Sequence, residues 1–140
     1  MQQTLAILKP DSVAAGDAGN ILAHLERQGF RVLGVKKLRL SAEQARAFYA
    51  VHRERPFYGS LVEFMTSGPV VAVALERDDA VSRLREVMGA TDVAKAAPGT
   101  VRALYGTSIE RNAIHGSDSP ENAALELGFF FSRAELLAAL

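Results

Sequence analysis

The chain has 140 residues, of which 49% are hydrophobic and 23% are charged, and it contains no cysteine. Its 16 lysines and arginines balance its 16 aspartates and glutamates, so the formal net charge is zero. This composition predicts one globular domain over residues 1–140. It argues against a disulfide framework, a thiolate metal site, disorder, and binding to long nucleic acid, which needs a broad basic surface.

In the first part of the chain, the hydrophobic pattern predicts two strands and a helix. The apolar run 4–8, which Lys9-Pro10-Asp11 ends, is typical of a buried strand. After a loop at 16–19, apolar residues at helical spacing predict a helix that Gly29 ends. Alternating apolar residues over 30–40 predict a strand with one covered and one solvent-exposed face.

Two further helices and a central strand are predicted next. Ser41 and Gln44 have the spacing of a capping box and open a helix whose face carries Tyr49 and His52 and which Pro56 breaks. A short helix is expected around 61–65. The continuous apolar run 70–75 is the best candidate for a central strand.

The last part of the chain is predicted to contain a helix over 80–88, a long loop over 91–100 and a short strand near 113–115. Ser119 and Pro120 predict the start of a helix that extends to about Phe130, because serine caps helices and proline suits the first turn. A short C-terminal helix follows. The order predicts an α+β fold, a ferredoxin-like α/β sandwich in which one layer of helices covers a mostly antiparallel four-stranded sheet.

The common nucleotide-binding and hydrolase motifs are absent from the sequence. It has no glycine-rich phosphate loop of the G-x-x-x-x-G-K-[ST] or G-x-G-x-x-G type and no G-x-S-x-G elbow. The three histidines, His24, His52 and His115, lie far apart without an H-x-x-x-H pair, so a histidine metal site is not expected.

His115 lies in the most informative segment, residues 112–118, which read Asn-Ala-Ile-His-Gly-Ser-Asp. One interpretation is a polar turn in which the histidine has no chemical role. The other is a nucleophile on a tight turn, where Gly116 lets a substrate approach and Ser117 bonds the ring or a carboxylate that orients it. Imidazole is largely uncharged at physiological pH and can attack phosphorus. Residue types alone leave both interpretations open.

The same segment resembles the N-x-x-H-G-S-D active-site signature of nucleoside diphosphate kinases. The resemblance covers nearly the whole chain, with further matching segments in the family's order and spacing. These segments are Ile7-Leu8-Lys9-Pro10-Asp11, Glu54-Arg55-Pro56-Phe57-Tyr58, Thr66-Ser67-Gly68-Pro69-Val70-Val71, Met88-Gly89-Ala90-Thr91 and Pro98-Gly99-Thr100-Val101-Arg102.

The resemblance implies a reversible ping-pong reaction, in which the terminal phosphate of a nucleoside triphosphate, typically ATP, passes to a nucleoside diphosphate through a phosphohistidine at His115. It implies that Glu126 holds the other imidazole nitrogen and that Ser117 supports this carboxylate. Lys9, with Tyr49 beside it, completes the implied catalytic group.

The resemblance also implies a nucleotide-binding group with low base selectivity. Its members would contact the terminal phosphate or ribose (Lys9, Arg102, Asn112), the β-phosphate (Arg85, Thr91) and the base (Phe57, with Leu61 and Ile109 completing an apolar slot). The implied cofactor is Mg²⁺, held mainly by the nucleotide phosphates and water, so no side chain is expected as a metal ligand.

Further expectations concern partners and location. The implied partners are nucleoside di- and triphosphates, with no membrane and no long nucleic acid, and the implied assembly is a tetramer or hexamer built from a dimer. The first eight residues do not resemble a signal peptide and no apolar run approaches the ~20 residues of a membrane span, so we expect a cytoplasmic protein.

Two positions depart from the family pattern. Leu104 stands where an acidic residue is usual, and Val93 stands where many members have proline. Both departures bear on loop rigidity and subunit contacts rather than on the chemistry.

Two other functions remain to be weighed against the kinase. A small-molecule sensor of the same fold would leave His115, Arg85 and Arg102 without a common target. A single-strand nucleic-acid binder predicts solvent-facing aromatic and basic residues on central strands, which the run 70–75 lacks.

Overall fold

A computed structural model describes residues 1–140 as a four-stranded antiparallel sheet with helices on both faces. The strands are β1 (Gln2–Leu8), β2 (Arg31–Leu38), β3 (Val70–Arg77) and β4 (Ile114–Gly116). Their order in the sheet is β2-β3-β1-β4, and every neighbouring pair is antiparallel. The predicted α+β class and the predicted four-stranded sheet are confirmed.

Eight α-helices and two short 3-10 helices complete the chain. The α-helices are α1 (Pro10–Ala14), α2 (Ala18–Arg27), α3 (Ala42–Phe48), α4 (Tyr58–Met65), α5 (Ala80–Met88), α6 (Val101–Tyr105), α7 (Pro120–Phe130) and α8 (Arg133–Ala138); the 3-10 helices are Ala50–His52 and Val93–Lys95. No helix combines the length and the apolar character that crossing a bilayer requires.

Two hydrophobic clusters lie on opposite faces of the sheet, so the prediction of a single helical layer is wrong. Leu5 and Ile7 of β1 contribute to the first cluster, which α3, α4 and α7 cover. Ala6 and Leu8 contribute to the second, which α2, α5 and α6 cover. Because alternate residues of a strand point to opposite faces, a continuous apolar run such as 70–75 marks a strand covered on both sides.

The edge strand β2 also differs from its prediction. Val32 pairs with Leu75 and Gly34 pairs with Ala74, so Leu33 is an extra residue that forms a bulge. Val32 packs on the second cluster while Leu33 belongs to the first. The bulge reverses which face the following residues occupy. After it the predicted alternation is present, with Gly34, Lys36 and Leu38 half-buried and Val35 and Lys37 exposed.

Two predicted helix starts are confirmed by their capping hydrogen bonds. The side chains and backbones of Ser41 and Gln44 form the predicted capping box, and Ser119 accepts a hydrogen bond from the Asn122 amide at the start of α7. Helix α3, however, ends at Phe48, well before Pro56, and His52 lies in a separate 3-10 turn.

Three short segments were assigned wrongly or not at all. The segment Lys9-Pro10-Asp11 ends β1 as predicted, but it also begins α1, which the sequence did not predict. Pro10 occupies the first turn of this helix, where its missing N–H is not needed. Helix α2 begins at Ala18, inside the predicted loop 16–19, and the five residues of α6 had no predicted element. Five residues make little more than one helical turn, which is too short for a hydrophobic period to be visible.

Candidate active site

The pairing of β4 with β1 sets the position of His115. Ile7 lies opposite His115 in the register, so both side chains point to the face that α3 and α7 cover. The Nε2 atom of His115 lies 2.8 Å from Oε1 of Glu126 on α7. The Ser117 hydroxyl donates to the same carboxylate oxygen at 2.8 Å.

This arrangement selects one imidazole nitrogen for chemistry. A carboxylate oxygen accepts hydrogen bonds, so Nε2 of His115 carries the hydrogen atom and donates a hydrogen bond to Glu126. In the uncharged ring, Nδ1 then carries the free lone pair. His115, Glu126 and Ser117 therefore form a hydrogen-bonded relay like the one that the resemblance implies, with Ser117 bonding the carboxylate rather than the ring.

Two aromatic rings flank the imidazole. The ring centroids of Phe48 and Tyr49 lie 5.5 and 6.0 Å from that of His115, both in edge-to-face geometry. Burial, with a smaller contribution from the charge of Glu126, raises the pKa of Tyr49, so its phenol stays protonated. Both rings therefore pack against the imidazole where it lines the site.

Lys9 follows the end of β1 and is only 6% exposed. Its ammonium donates to Oδ1 of Asn112 at 2.9 Å and to the carbonyl oxygen of Glu110 at 2.8 Å. It also lies 5.4 Å from the ring centroid of Phe64. Burial lowers the pKa of Lys9 to about 8, because desolvation disfavours its charged form.

Arg102 is the second buried cation of the site, with 8% exposure. Its terminal nitrogens donate to the carbonyl oxygens of Gly89 and Ile114 at 3.1 and 2.8 Å, while the buried Nε has no partner. Burial and the neighbouring charge of Arg85 lower the pKa of Arg102 to about 10. A buried guanidinium with spare donors is suited to holding an anion.

A cavity of about 710 Å³ brings the predicted residues together. Of the twelve site residues predicted from the sequence, eleven line it: Lys9, Tyr49, Phe57, Leu61, Arg85, Thr91, Arg102, Ile109, Asn112, His115 and Glu126. Ser117 is fully buried behind Glu126 and does not reach the cavity. Phe57 and Ile109 are 47% and 60% exposed, which places the apolar slot at the solvent-facing side.

The sequence interpretation missed several lining residues, among them Phe48, His52 and Asp118. Phe48 and His52 share a helical face with Tyr49 in the sequence, and that shared face was the available signal. His52 lies 5.5 Å from Phe57 between ring centroids, so it extends the aromatic wall toward the apolar slot.

Gly116 lines the cavity beside His115 and also packs against helix α5. A Cβ atom at this position would lie 2.7 Å from Sδ of Met88 and 2.9 Å from Cδ2 of Leu84. Both belong to α5, on the sheet face opposite His115. The missing side chain therefore lets β4 pack closely on α5.

Comparison with known proteins identifies a family with this sequence. A family model described as "Nucleoside diphosphate kinase" matches residues 2–136. The nucleoside diphosphate kinase of Syntrophotalea carbinolica is 56% identical over 137 residues, covering 98% of this chain and 100% of that one.

Solved structures show the same likeness. The nucleoside diphosphate kinase of Aquifex aeolicus superposes with a TM-score of 0.93 at 50% identity, covering 96% of this chain and 97% of that chain. A halophilic relative from Halobacterium salinarum, in complex with CDP, gives a TM-score of 0.91 at 42% identity, covering 96% and 90%.

Proposed function

The chain belongs to the nucleoside diphosphate kinase family, and on this premise we propose which of its side chains carry out the family's reaction. The reaction is the reversible ping-pong transfer of the terminal phosphate of a nucleoside triphosphate to a nucleoside diphosphate through a phosphohistidine. The observation that carries the proposal is the imidazole of His115, held at Nε2 by Glu126 within a cavity that Lys9 and Arg102 also line.

In the first half-reaction, the Nδ1 lone pair of His115 attacks the terminal phosphorus. The bond from phosphorus to the bridging oxygen breaks, its electron pair stays on the departing diphosphate, and the imidazole ring becomes positively charged. The carboxylate of Glu126, 2.8 Å from Nε2, stabilises that charge as it forms. In the second half-reaction, a terminal oxygen of a new diphosphate attacks phosphorus. The bond from phosphorus to Nδ1 breaks, and its electron pair returns to Nδ1, which restores the neutral ring.

Cationic and polar side chains neutralise and position the phosphates. The buried ammonium of Lys9, the guanidinium of Arg102 and the amide of Asn112 would contact the terminal phosphate or the ribose hydroxyls. The more exposed Arg85 and Thr91 would contact the β-phosphate. Phosphoryl transfer depends mainly on such positioning and charge neutralisation, which supports this distribution.

The base would stack on Phe57, with Leu61 and Ile109 completing the slot. Stacking uses a π-face that every base has, and these apolar side chains offer no hydrogen bonds that read base edges. Low base selectivity follows. The CDP in the halophilic relative's structure is a nucleotide of the size and charge that this cavity would hold.

We propose Mg²⁺ as the cofactor, bound through the nucleotide. The cavity contains three carboxylates, and Glu126 is already engaged with His115 and Ser117, which leaves Glu110 and Asp118. No group of three or more metal-ligating side chains occurs in the chain. This donor set fits a metal that keeps most of its ligands from phosphate and water, and such a metal would neutralise phosphate charge during transfer.

A homo-oligomer, either a tetramer or a hexamer built from a dimer, is also proposed. Exposed apolar side chains away from the cavity support it, namely Val35, Leu104 and Leu137, as does the free outer edge of β2. We further propose that residues 1–140 act as one domain, since both hydrophobic clusters share one sheet. A cytoplasmic location is proposed because nucleoside di- and triphosphates are metabolites of that compartment.

The competing functions fit the structure less well. The residues that a sensor would leave without a common target, His115, Arg85 and Arg102, line one cavity. The single-strand nucleic-acid binder needs an exposed face on a central strand, but β3 is buried from Val70 to Glu76.

Labelling with γ-labelled ATP and Mg²⁺ tests the proposal. We expect an acid-labile, base-stable label on the protein that GDP removes. A His115→Ala variant should lose the label while staying folded, and a His24→Ala variant, altered on α2 away from the cavity, should keep it. Label that persists in the His115→Ala variant would refute the assignment of the nucleophile.

A further inference from the structure

The backbone just before His115 makes a turn that non-glycine residues rarely adopt. Ala113 is fully buried and has a φ of 74°. The Ile114 amide donates to the Asn112 carbonyl at 2.9 Å, which closes a three-residue turn around Ala113. A γ-turn of this hand is strained, and such strain persists only where the surroundings impose it.

Three hydrogen bonds join the segment 9–12 to the backbone of Ala113. Oδ2 of Asp11 accepts the Ala113 amide at 3.1 Å. The Ala113 carbonyl accepts from the Ser12 hydroxyl at 2.8 Å and from the Lys9 amide at 2.9 Å. The segment 9–12 therefore engages both backbone polar groups of the strained residue.

A role in folding alone does not explain the environment of the Asp11 carboxylate. Its second oxygen, Oδ1, is buried and has no hydrogen-bond partner. A buried carboxylate oxygen without a partner lowers stability, and exceptions of this kind call for a functional explanation. Asp11 does not line the cavity, so it does not reach a bound nucleotide directly.

The turn lies between two groups that the reaction needs. On one side is Asn112, whose Oδ1 accepts from the Lys9 ammonium at 2.9 Å. On the other side is His115. If Ala113 relaxed to a negative φ, the peptide between them would rotate, and both side chains would change direction relative to Lys9.

We propose that Asp11 is a positioning residue for phosphoryl transfer, supported by Ser12. Its carboxylate holds Ala113 in the strained turn and so fixes Asn112 on Lys9 and His115 toward the cavity. The proposal rests on the proposed role of His115 as the nucleophile.

A double-mutant cycle separates this role from direct catalysis and from general stability. Four proteins are compared: wild type, Asp11→Ala, Ala113→Gly, and the double variant. The measurement is the single-turnover rate of phosphoenzyme formation from ATP and Mg²⁺, well below each protein's unfolding temperature. Asp11→Ala should slow this rate by about 10- to 150-fold, the range expected for a lost hydrogen bond to a charged acceptor.

Glycine at position 113 provides the rescue. Glycine adopts positive φ readily, so the turn no longer depends on Asp11. Removing Asp11 from the Ala113→Gly variant should therefore slow phosphoenzyme formation by less than about threefold, because glycine does not need the carboxylate to keep this conformation. A loss of the same factor in both backgrounds would overturn the proposal, because it would mean that Asp11 acts on the reaction directly.

Three controls complete the test. Asp78→Ala removes an exposed carboxylate from the turn after β3 and should leave the rate unchanged. If Asp11→Ala also formed phosphoenzyme at the wild-type rate, the proposal would be refuted. If Asp11→Ala does not fold, Ser12→Ala perturbs the same turn, and glycine at 113 should rescue it likewise. Absence of phosphoenzyme in the wild type would instead reject the nucleophile assignment.

Discussion

Replacement of Glu126 by alanine is the most informative perturbation of the proposed chemistry. In the structure, one oxygen of this carboxylate accepts hydrogen bonds from Nε2 of His115 and from the Ser117 hydroxyl, both at 2.8 Å. The variant removes the acceptor, frees the imidazole to rotate, and leaves the buried Ser117 hydroxyl without its partner.

The size of the effect follows from the charge that forms during transfer. Only the part of the hydrogen bond that strengthens as the ring becomes an imidazolium contributes to the rate. The side chains of His115 and Glu126 are 24% and 20% exposed, so solvent screens the pair only in part. A whole hydrogen bond to a charged group is worth about 1.5–3 kcal/mol, so the part that strengthens lowers the rate by at most about 10- to 150-fold.

Rapid-quench measurement of phosphoenzyme formation checks this value. The apparent affinity for ATP should change little, because Glu126 holds the ring and not the nucleotide. Glu126→Gln should lose less than Glu126→Ala, since an amide oxygen still accepts from Nε2 but carries no charge. Glu121→Ala, in the first turn of the same helix, is the matched control and should react at the wild-type rate. A Glu126→Ala variant as fast as wild type would refute the relay.

Three further predictions concern pH, base binding and packing. Burial lowers the pKa of Lys9 to about 8, so its positive charge is present below that pH and lost above it. The value of kcat/KM should therefore fall as the pH rises through about 8. Arginine stays charged in this range, so a Lys9→Arg variant whose kcat/KM fell in the same way would contradict the assignment. Phe57→Ala should raise the nucleotide Kd by about 5- to 10-fold, the low end of base stacking for a half-exposed ring, with kcat nearly unchanged; an unaltered Kd by calorimetry would exclude stacking. Gly116→Ala should cost about 1–3 kcal/mol of stability, because its Cβ would overlap Met88; Gly19→Ala, whose Cβ would meet no atom within 4 Å, is the control, and equal thermal unfolding of the two variants would contradict the packing argument.

Local patterns in the sequence were sufficient to predict most of the fold. The run 70–75 predicted a central strand because strands buried on both faces are apolar at every position. Capping at Ser41 and Ser119 was predictable because those hydrogen bonds join residues three apart in the chain. The Leu33 bulge was not predictable, since it depends on how β2 aligns with β3 and leaves no mark in the alternation itself.

The candidate site was predictable only as a joint pattern. Taken singly, Lys9 resembles a solvated strand end and Glu126 a solvated helical carboxylate. The β1–β4 register places Lys9 in the same cavity as His115, and the packing of α7 brings Glu126 to its imidazole. No local signal contains such long-range pairing. The strained backbone at Ala113 was missed for the same reason, because residues 9–12 impose it from about a hundred positions away.

The position of the phosphate on the imidazole ring tests the central claim most directly. Because Glu126 engages Nε2, the account predicts that wild-type protein treated with ATP and Mg²⁺ carries the phosphoryl group on Nδ1 of His115. Alkaline hydrolysis of the phosphoenzyme followed by ³¹P NMR against the two phosphohistidine isomers distinguishes the nitrogens. Phosphate on Nε2, or on any residue other than His115, would contradict the assignment of Nδ1 of His115 as the nucleophile.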